Sequence, residues 1–172
     1  MRNMKSMETV ELKIRAATQQ DTKVILSFIK ALADYERLSH EVLVTEELLR
    51  DSLFGTKPAA EVLIAFEGDE PAGFALFFHN YSTFLGQKGL YLEDLFVNPD
   101  RRGHGIGKAL LFQLARIATE RNCGRLEWAV LDWNEPAINF YKSLNAKLMD
   151  EWRTFRVTGE ALETLARGDK EG

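Results

Sequence analysis

The 172-residue sequence is poor in the residues that form disulfides and metal sites. It contains one cysteine, Cys123, so no disulfide can form within the chain, and a cytoplasmic location is the expectation. The three histidines, His40, His79 and His104, are scattered, and no two of them have the spacing of metal ligands. We therefore expect no metal site.

The sequence also lacks long apolar runs and an excess of positive charge. No apolar run approaches the roughly 18 residues needed to span a bilayer, and no apolar stretch follows the basic N-terminus as in a secretory signal. The formal net charge is -4, whereas proteins that bind nucleic acid usually carry a net positive charge or a basic patch. These absences argue against nucleic acid or a membrane as partner, and a mildly acidic protein suits a small cationic ligand.

No linker, repeat or low-complexity tract interrupts the chain. Its 45% hydrophobic and 28% charged residues are ordinary for a globular protein, and its length suits a single domain over 1–172 with a core at about 11–167. The ends, 1–9 and 165–172, are expected to fray.

Hydrophobic periodicity predicts alternating strands and helices in the order β-α-α-β-β-β-α-β-α-β. Thr18 and Thr45 are candidate helix caps, and Pro136 suits the first turn of a helix. The order favours an α/β (α+β) fold with a mixed sheet and helices on its faces. The strands are predicted at 11–15, 62–66, 72–78, 90–97, 126–131 and 153–157. The helices are predicted after Thr18, from Thr45 to near Gly55, over 105–120, from Pro136, and over 160–166.

A glycine-rich segment follows the fourth strand and opens a helix. Its alternating glycines, Gly103, Gly105 and Gly107, free the backbone to turn and to present N–H groups beside a helix N-terminus, which together favour phosphate. The segment fits neither common nucleotide motif: Ala109 stands where a Walker A loop needs Ser or Thr, and no register gives the dinucleotide pattern. Positive charge is added by Arg101, Arg102 and Lys108.

The pattern Arg102-x-x-Gly105-x-Gly107 resembles the pyrophosphate-binding loop of the GNAT acetyltransferase superfamily. Further segments are similar to the spermidine/spermine (diamine) N-acetyltransferase family, and the resemblance runs from about Ile14 to about Val157. These segments are Tyr91-Leu-Glu-Asp-Leu-Phe-Val97, Trp133-Asn-Glu-Pro-Ala-Ile-Asn-Phe-Tyr-Lys142, Ala33-Asp-Tyr-Glu36 with Thr45-Glu46, and Trp152-Arg153-x-Phe155.

The resemblance implies a GNAT fold, with a mixed, mostly antiparallel sheet flanked by helices. It also implies transfer of acetyl from acetyl-CoA to a primary amine of a polyamine or diamine such as spermidine, by a protein that is a homodimer. In this family Glu93 is the general base, acting through a water, and Tyr141 is the general acid. From the residues alone, Glu93 is more typical of a solvated strand carboxylate, and Tyr141 could be a core tyrosine that shares a helix face with Ile138 and Leu144.

The same resemblance assigns residues to the two ligands. Leu95 and Val97 are expected to bind the pantetheine arm through backbone groups, and Asn134 is expected to seat the cofactor, cap its helix, or both. The full cofactor set is Leu95, Phe96, Val97, Arg102, Gly103, His104, Gly105, Ile106, Gly107, Lys108, Asn134, Pro136 and Ala137. The acceptor set, acidic residues with aromatic walls, is Tyr35, Glu36, Phe84, Asp94, Glu127, Trp128 and Glu151.

The chain departs from the family pattern mainly around the acceptor channel. Phe84 replaces a tryptophan, His104 replaces an aromatic residue, and the loop before Trp152 is shorter. Asn145 replaces a glycine, which still suits a positive φ. The acceptor therefore stays open: a polyamine, thialysine or another lysine-like amine. A third alternative is a CoA-binding module without catalytic activity.

Overall fold

The computed structural model describes residues 11–168, in which contacts separate two compact units. The first unit ends at Ala129 and the second begins at Val130. Residues 1–9, expected to fray, and residues 169–172 lie outside the described part of the chain. A single domain over 1–172 stays a prediction.

The first unit contains one five-stranded sheet whose strands lie in sequence order. The first four strands pair antiparallel, and the fifth pairs parallel to the fourth. The predicted mixed, mostly antiparallel sheet is therefore confirmed. The strands are β1 (Leu12–Ala16), β2 (Glu61–Glu67), β3 (Glu70–Ser82), β4 (Gln87–Val97) and β5 (Leu126–Trp128).

Two helices pack on one face of this sheet, namely α1 (Thr22–Tyr35) and α2 (Glu46–Phe54). The predicted cap of α2 is confirmed, because the Thr45 hydroxyl accepts the Leu48 N–H at 3.2 Å. The core under α1 is aromatic: the Phe28 ring stacks on that of Phe74, with ring centroids 5.3 Å apart. The apolar periodicity of the sequence thus predicted this face correctly.

The third helix, α3 (Ile106–Glu120), packs on the opposite face. The helix predicted over 105–120 is therefore confirmed, and its apolar stripe is packed inwards: Ile106, Leu110 and Leu114 are fully buried and Ile117 is half-buried. The helix begins directly after the glycine-rich segment, so burial of this stripe fixes where that segment lies against the sheet.

The second unit consists of α4 (Glu135–Ser143), α5 (Gly159–Arg167) and connecting segments. The strand predicted over 153–157 is wrong: these residues have no strand conformation, and Phe155 is 92% exposed. Alternating side chains form a strand only where another strand supplies hydrogen-bond partners, and no described strand pairs with this segment.

Two predicted boundaries also need correction. The fifth strand ends at Trp128, whereas the alternation predicted a strand to residue 131, because pairing with β4 stops there. At the other end, 165–167 continue α5 as helix, although fraying was expected from residue 165 onwards.

Candidate active site

Glu93, the predicted base, lies at an irregularity in β4. Leu92 pairs with Phe77 and Asp94 pairs with Leu76, so Glu93 is one extra residue between two regular pairs. A bulge of this kind bends the strand and changes the direction of its side chains, and such bulges are common beside active sites. The Glu93 side chain is solvent-exposed, so a ligand can reach it.

Two further carboxylates, those of Glu36 and Asp94, form a group with Glu93 in which the charges affect the pKa of Asp94. The pKa of Asp94 is raised to about 6, first by burial and then by the charges of Glu93 and Glu36. Burial at the end of α1 also raises the pKa of Glu36. We call Glu36, Glu93 and Asp94 the acidic cluster. It concentrates negative charge where a cationic acceptor would gain most from binding.

The half-buried Asp94 should weaken the fold at neutral pH. Its folded-state pKa of about 6 exceeds the ordinary 3.8, so the native state binds more protons than the unfolded state between these values. Stability should therefore fall as pH rises from about 4 to 6. Asp94→Asn is expected to raise the free energy of unfolding at pH 8 by roughly 2–3 kcal/mol, measured by urea denaturation. Asp69→Asn, in an exposed turn, is the control, and an unchanged pH dependence in Asp94→Asn would contradict the prediction.

Beyond the bulge, β4 presents backbone polar groups away from β3. The Asn98 N–H donates to the Ala72 carbonyl at 2.9 Å, so Asn98 and Ala72 form a hydrogen-bonded pair that continues the β3–β4 ladder. Because such pairs alternate in an antiparallel ladder, the N–H and C=O of Val97 and of Leu95 point away from β3. On that side β5 pairs with β4 only from Leu90 to Leu92. No described strand pairs with Leu95 or Val97 on that side, which we call the open β4 edge, and their predicted backbone role depends on it. One of these outward groups, the Val97 carbonyl, accepts a hydrogen bond from Arg102.

The glycine-rich segment continues from this edge into α3. Gly103 and Gly105 have φ angles of 82° and 81°, in the left-handed region that favours glycine, and Gly105 caps α3. A Cβ at either position would meet no atom within 4 Å, so the backbone conformation and the open space above it explain the glycines. Gly107 and Ile106 form the first turn, where N–H groups lack intrahelical partners.

The cations of this loop have different environments. The Arg102 Nε donates to the Val97 carbonyl at 3.0 Å, and its guanidinium lies 4.6 Å from the ring centroid of Tyr35. A residue predicted for the cofactor thus contacts one predicted for the acceptor. Lys108 is exposed on the first turn of α3, whereas Arg101 pairs with Glu67 at 2.6 Å.

The remaining acceptor residues of the first unit are less uniform than predicted. Glu127 lies beside Tyr91 in the β4–β5 register, but Arg125 Nε lies 2.8 Å from its carboxylate and Asn80 Nδ2 donates to it at 3.1 Å. Its charge is therefore compensated, unlike those of the acidic cluster. Phe84 is 94% exposed in the β3–β4 turn, and Trp128 is half-buried at the end of β5.

The other predicted residues belong to the second unit. Asn134 caps α4, since its side chain accepts the Ala137 N–H at 3.4 Å, and Pro136 lies in the first turn as predicted. Tyr141 is half-buried on α4, with its ring centroid 5.4 Å from that of Phe140. Glu151 is exposed in a turn. The roles of Tyr141, Asn134 and Glu151 at the site stay predictions.

Sequence reasoning missed two residues of the first unit, one beside Glu93 and one beside the glycine-rich segment. Tyr91 lies between two carboxylates, and its pKa is raised first by burial and then by Glu93 and Glu127. Glu67, at the end of β2, contacts both Arg101 and His104 of the glycine-rich segment. Both proximities come from strand register and loop placement, and no local pattern in the sequence indicates them.

A cavity of about 240 Å³ lies elsewhere in the first unit. It is lined mainly by apolar side chains, with Glu61 and Arg121 as its charged groups, and these two pair with each other at 2.8 Å. None of the predicted site residues lines it, so the candidate site is the open β4 edge with its loop and not this cavity. Among residues 11–168, no helix is long and apolar enough to cross a membrane.

Comparison with known proteins identifies the family. Residues 27–146 match the family described as "Acetyltransferase (GNAT) family". Mouse thialysine N-epsilon-acetyltransferase is 39% identical over 165 residues, which cover 90% of this chain and 96% of that protein. Human spermidine/spermine N(1)-acetyltransferase-like protein 1 is 35% identical over 90% of this chain but only 24% of its own. A solved integron cassette protein from the mobile metagenome of V. cholerae, 30% identical, superposes with a TM-score of 0.76 over 91% of this chain and 98% of its own.

The chain therefore belongs to the GNAT acetyltransferase family, and the resemblance read from its motifs is confirmed. It is an amine N-acetyltransferase, and enzymes of this family use acetyl-CoA as co-substrate.

Proposed function

We propose that this enzyme acetylates the side-chain amine of a lysine-like amino acid such as thialysine, with a polyamine such as spermidine as the second candidate. Both candidates are amines with a second positive charge, and the observation that supports such an acceptor is the acidic cluster beside the open β4 edge. Similarity to a thialysine acetyltransferase along almost the whole chain favours the amino acid. The proposal also includes a cytoplasmic homodimer. It further includes a single catalytic domain, which is supported by a family match that continues across residue 129.

The acceptor must lose a proton before it can react. An ordinary primary amine has a pKa near 10.4, so only about one molecule in a thousand is neutral at pH 7.4, a deficit of about 4 kcal/mol. Glu93, exposed at the bulge, accepts this proton through a water, while Glu36 and Asp94 hold the second positive charge. Placing the base and the two binding carboxylates in one cluster lets the site orient the amine as it is deprotonated.

The other half of the proposed site binds acetyl-CoA. Acetyl-CoA supplies an activated acetyl group whose leaving group is a thiolate. The glycine loop and the first turn of α3 hold the pyrophosphate, and Leu95 and Val97 hold the pantetheine through their outward backbone groups. Tyr141 donates a proton to the departing sulfur, and Asn134 orders the segment before Tyr141 by capping its helix.

The acceptor preference should depend on charge and weaken with salt. Each correctly placed exposed carboxylate contributes a few tenths of a kcal/mol to about 1 kcal/mol, so the cluster should favour a dication by about tenfold over a monoamine of similar length. Screening shortens to about 3 Å at 1 M salt, where this preference should shrink. A thiol-release assay at low and high salt measures this preference as the ratio of kcat/KM values. The acceptors compared are thialysine, lysine, spermidine, putrescine and the monoamine.

The outcomes of this panel separate the alternatives. A higher kcat/KM for thialysine than for spermidine supports the amino acid as acceptor, and the reverse order supports the polyamine. A monoamine that matches both at low salt would show that the cluster does not select the acceptor. Binding of acetyl-CoA with no turnover of any amine would indicate the non-catalytic module.

A further inference from the structure

One carboxylate outside the predicted site contacts the glycine-rich loop on both sides of Gly103. The Arg101 Nη1 donates to Glu67 Oε2 at 2.6 Å, and His104 Nδ1 lies 3.4 Å from Glu67 Oε1. The Glu67 side chain is only 13% exposed, and the hydrogen bond from Arg101 lowers its pKa. Glu67 is therefore a largely enclosed anion that binds two residues 34 and 37 positions away.

The position of Glu67 is fixed by the β2–β3 hairpin. It is the last residue of β2, immediately before Gly68, whose φ of 61° forms the turn. A shift of register between Ala65 and Phe66 lies directly before it, and irregularities of this kind redirect side chains. The carboxylate thus extends from a strand that is paired on both sides, since Glu67 is opposite Leu12 of β1 and Glu70 of β3.

The same hairpin anchors the start of the loop a second time. Asn98, which follows β4, donates its N–H to the Ala72 carbonyl at 2.9 Å and its Nδ2 to the Pro71 carbonyl at 3.1 Å. Backbone of β3 therefore fixes the start of the loop, and Glu67 at the end of β2 fixes its middle.

A carboxylate beside a phosphate-binding loop needs a physical reason, because it opposes the charge of the ligand. Here Arg101 offsets the charge of Glu67, so the electrostatic cost is small. Without such contacts, a loop with three glycines in five residues would have many conformations in the free protein, and restricting it before binding lowers the entropy lost with the ligand.

We propose that Glu67 is a positioning residue that preorganises the pyrophosphate-binding loop by fixing Arg101 and His104 on either side of Gly103. The inference rests on the proposed assignment of this loop to the pyrophosphate of acetyl-CoA. Glu67 contacts no reacting atom, so it affects the affinity for the cofactor and not the chemical step.

The test compares two acetyl donors in Glu67→Gln. Acetyl-CoA contains the pyrophosphate, whereas S-acetylpantetheine has the same thioester and pantetheine arm without it. We expect KM for acetyl-CoA to rise about 3- to 10-fold with kcat unchanged, and KM for S-acetylpantetheine to stay constant. Arg101→Gln removes the same contact from the loop side and should give the same pattern.

Glu61→Gln is the matched control, since Glu61 forms an equivalent ion pair with Arg121 far from the loop. It should leave both KM values unchanged, and thermal unfolding of all variants monitors the fold. Equal effects of Glu67→Gln on the two donors, or an unchanged KM for acetyl-CoA, would overturn the inference. A wild-type enzyme that uses both donors equally well would refute the loop assignment itself and the inference with it.

Discussion

Replacing Gly105 with valine is expected to reduce the affinity for acetyl-CoA by about 100-fold. Gly105 has a φ of 81° at the cap of α3, a conformation that a β-branched residue rarely adopts. Valine would strain the loop, and it would place a side chain where the pyrophosphate approaches the backbone in the proposed site. Losing one or two charge-assisted hydrogen bonds, each worth about 1.5–3 kcal/mol, gives this order of effect.

Isothermal titration calorimetry with acetyl-CoA measures the loss, and a second glycine supplies the control. Gly86 has a φ of 63° in the β3–β4 turn, also with no atom within 4 Å of a Cβ. Gly86→Val therefore imposes similar backbone strain away from the loop and should retain wild-type affinity. Unchanged affinity in a folded Gly105→Val protein would remove the loop from the cofactor site.

Tyr141→Phe is expected to reduce kcat by about 10²- to 10⁴-fold, the usual contribution of a general acid. The ring that packs against Phe140 is retained, so the change removes only the hydroxyl group and with it the proton that it would donate. Affinity for acetyl-CoA should change little, because in the proposed mechanism the hydroxyl acts only on the leaving sulfur and the loop holds the cofactor. Steady-state thiol release gives kcat, and calorimetry gives the affinity.

Tyr81→Phe, which removes an exposed hydroxyl from β3, is the control and should retain full turnover. Full activity in Tyr141→Phe would favour the other interpretation, that Tyr141 packs with Ile138 and Leu144 on α4, all three being half-buried. A loss of stability comparable to the loss of rate would favour it too.

Local features of the chain were predicted well because their causes are local. Thr45 caps α2, Asn134 caps α4, and Asn145 adopts the predicted positive φ of 62°. Helix faces follow from a period of 3.6 residues, and turn glycines from the absence of a side chain. The strand predicted over 153–157 failed because pairing depends on a neighbour that the segment itself does not specify.

The sequence by itself determined the family and the order of the first nine elements, and it predicted a loop that binds phosphate. These follow from periodicity, from glycine spacing and from motifs that lie close together in the chain. The tertiary structure decided which charges act together. The bulge at Glu93 and the end of α1 bring Glu93, Asp94 and Glu36 into one cluster, while Arg125 compensates Glu127. The strength of an electrostatic interaction depends on the distance between the charges and on their burial. Strand register and helix packing decide both, for residues that are dozens of positions apart in the chain.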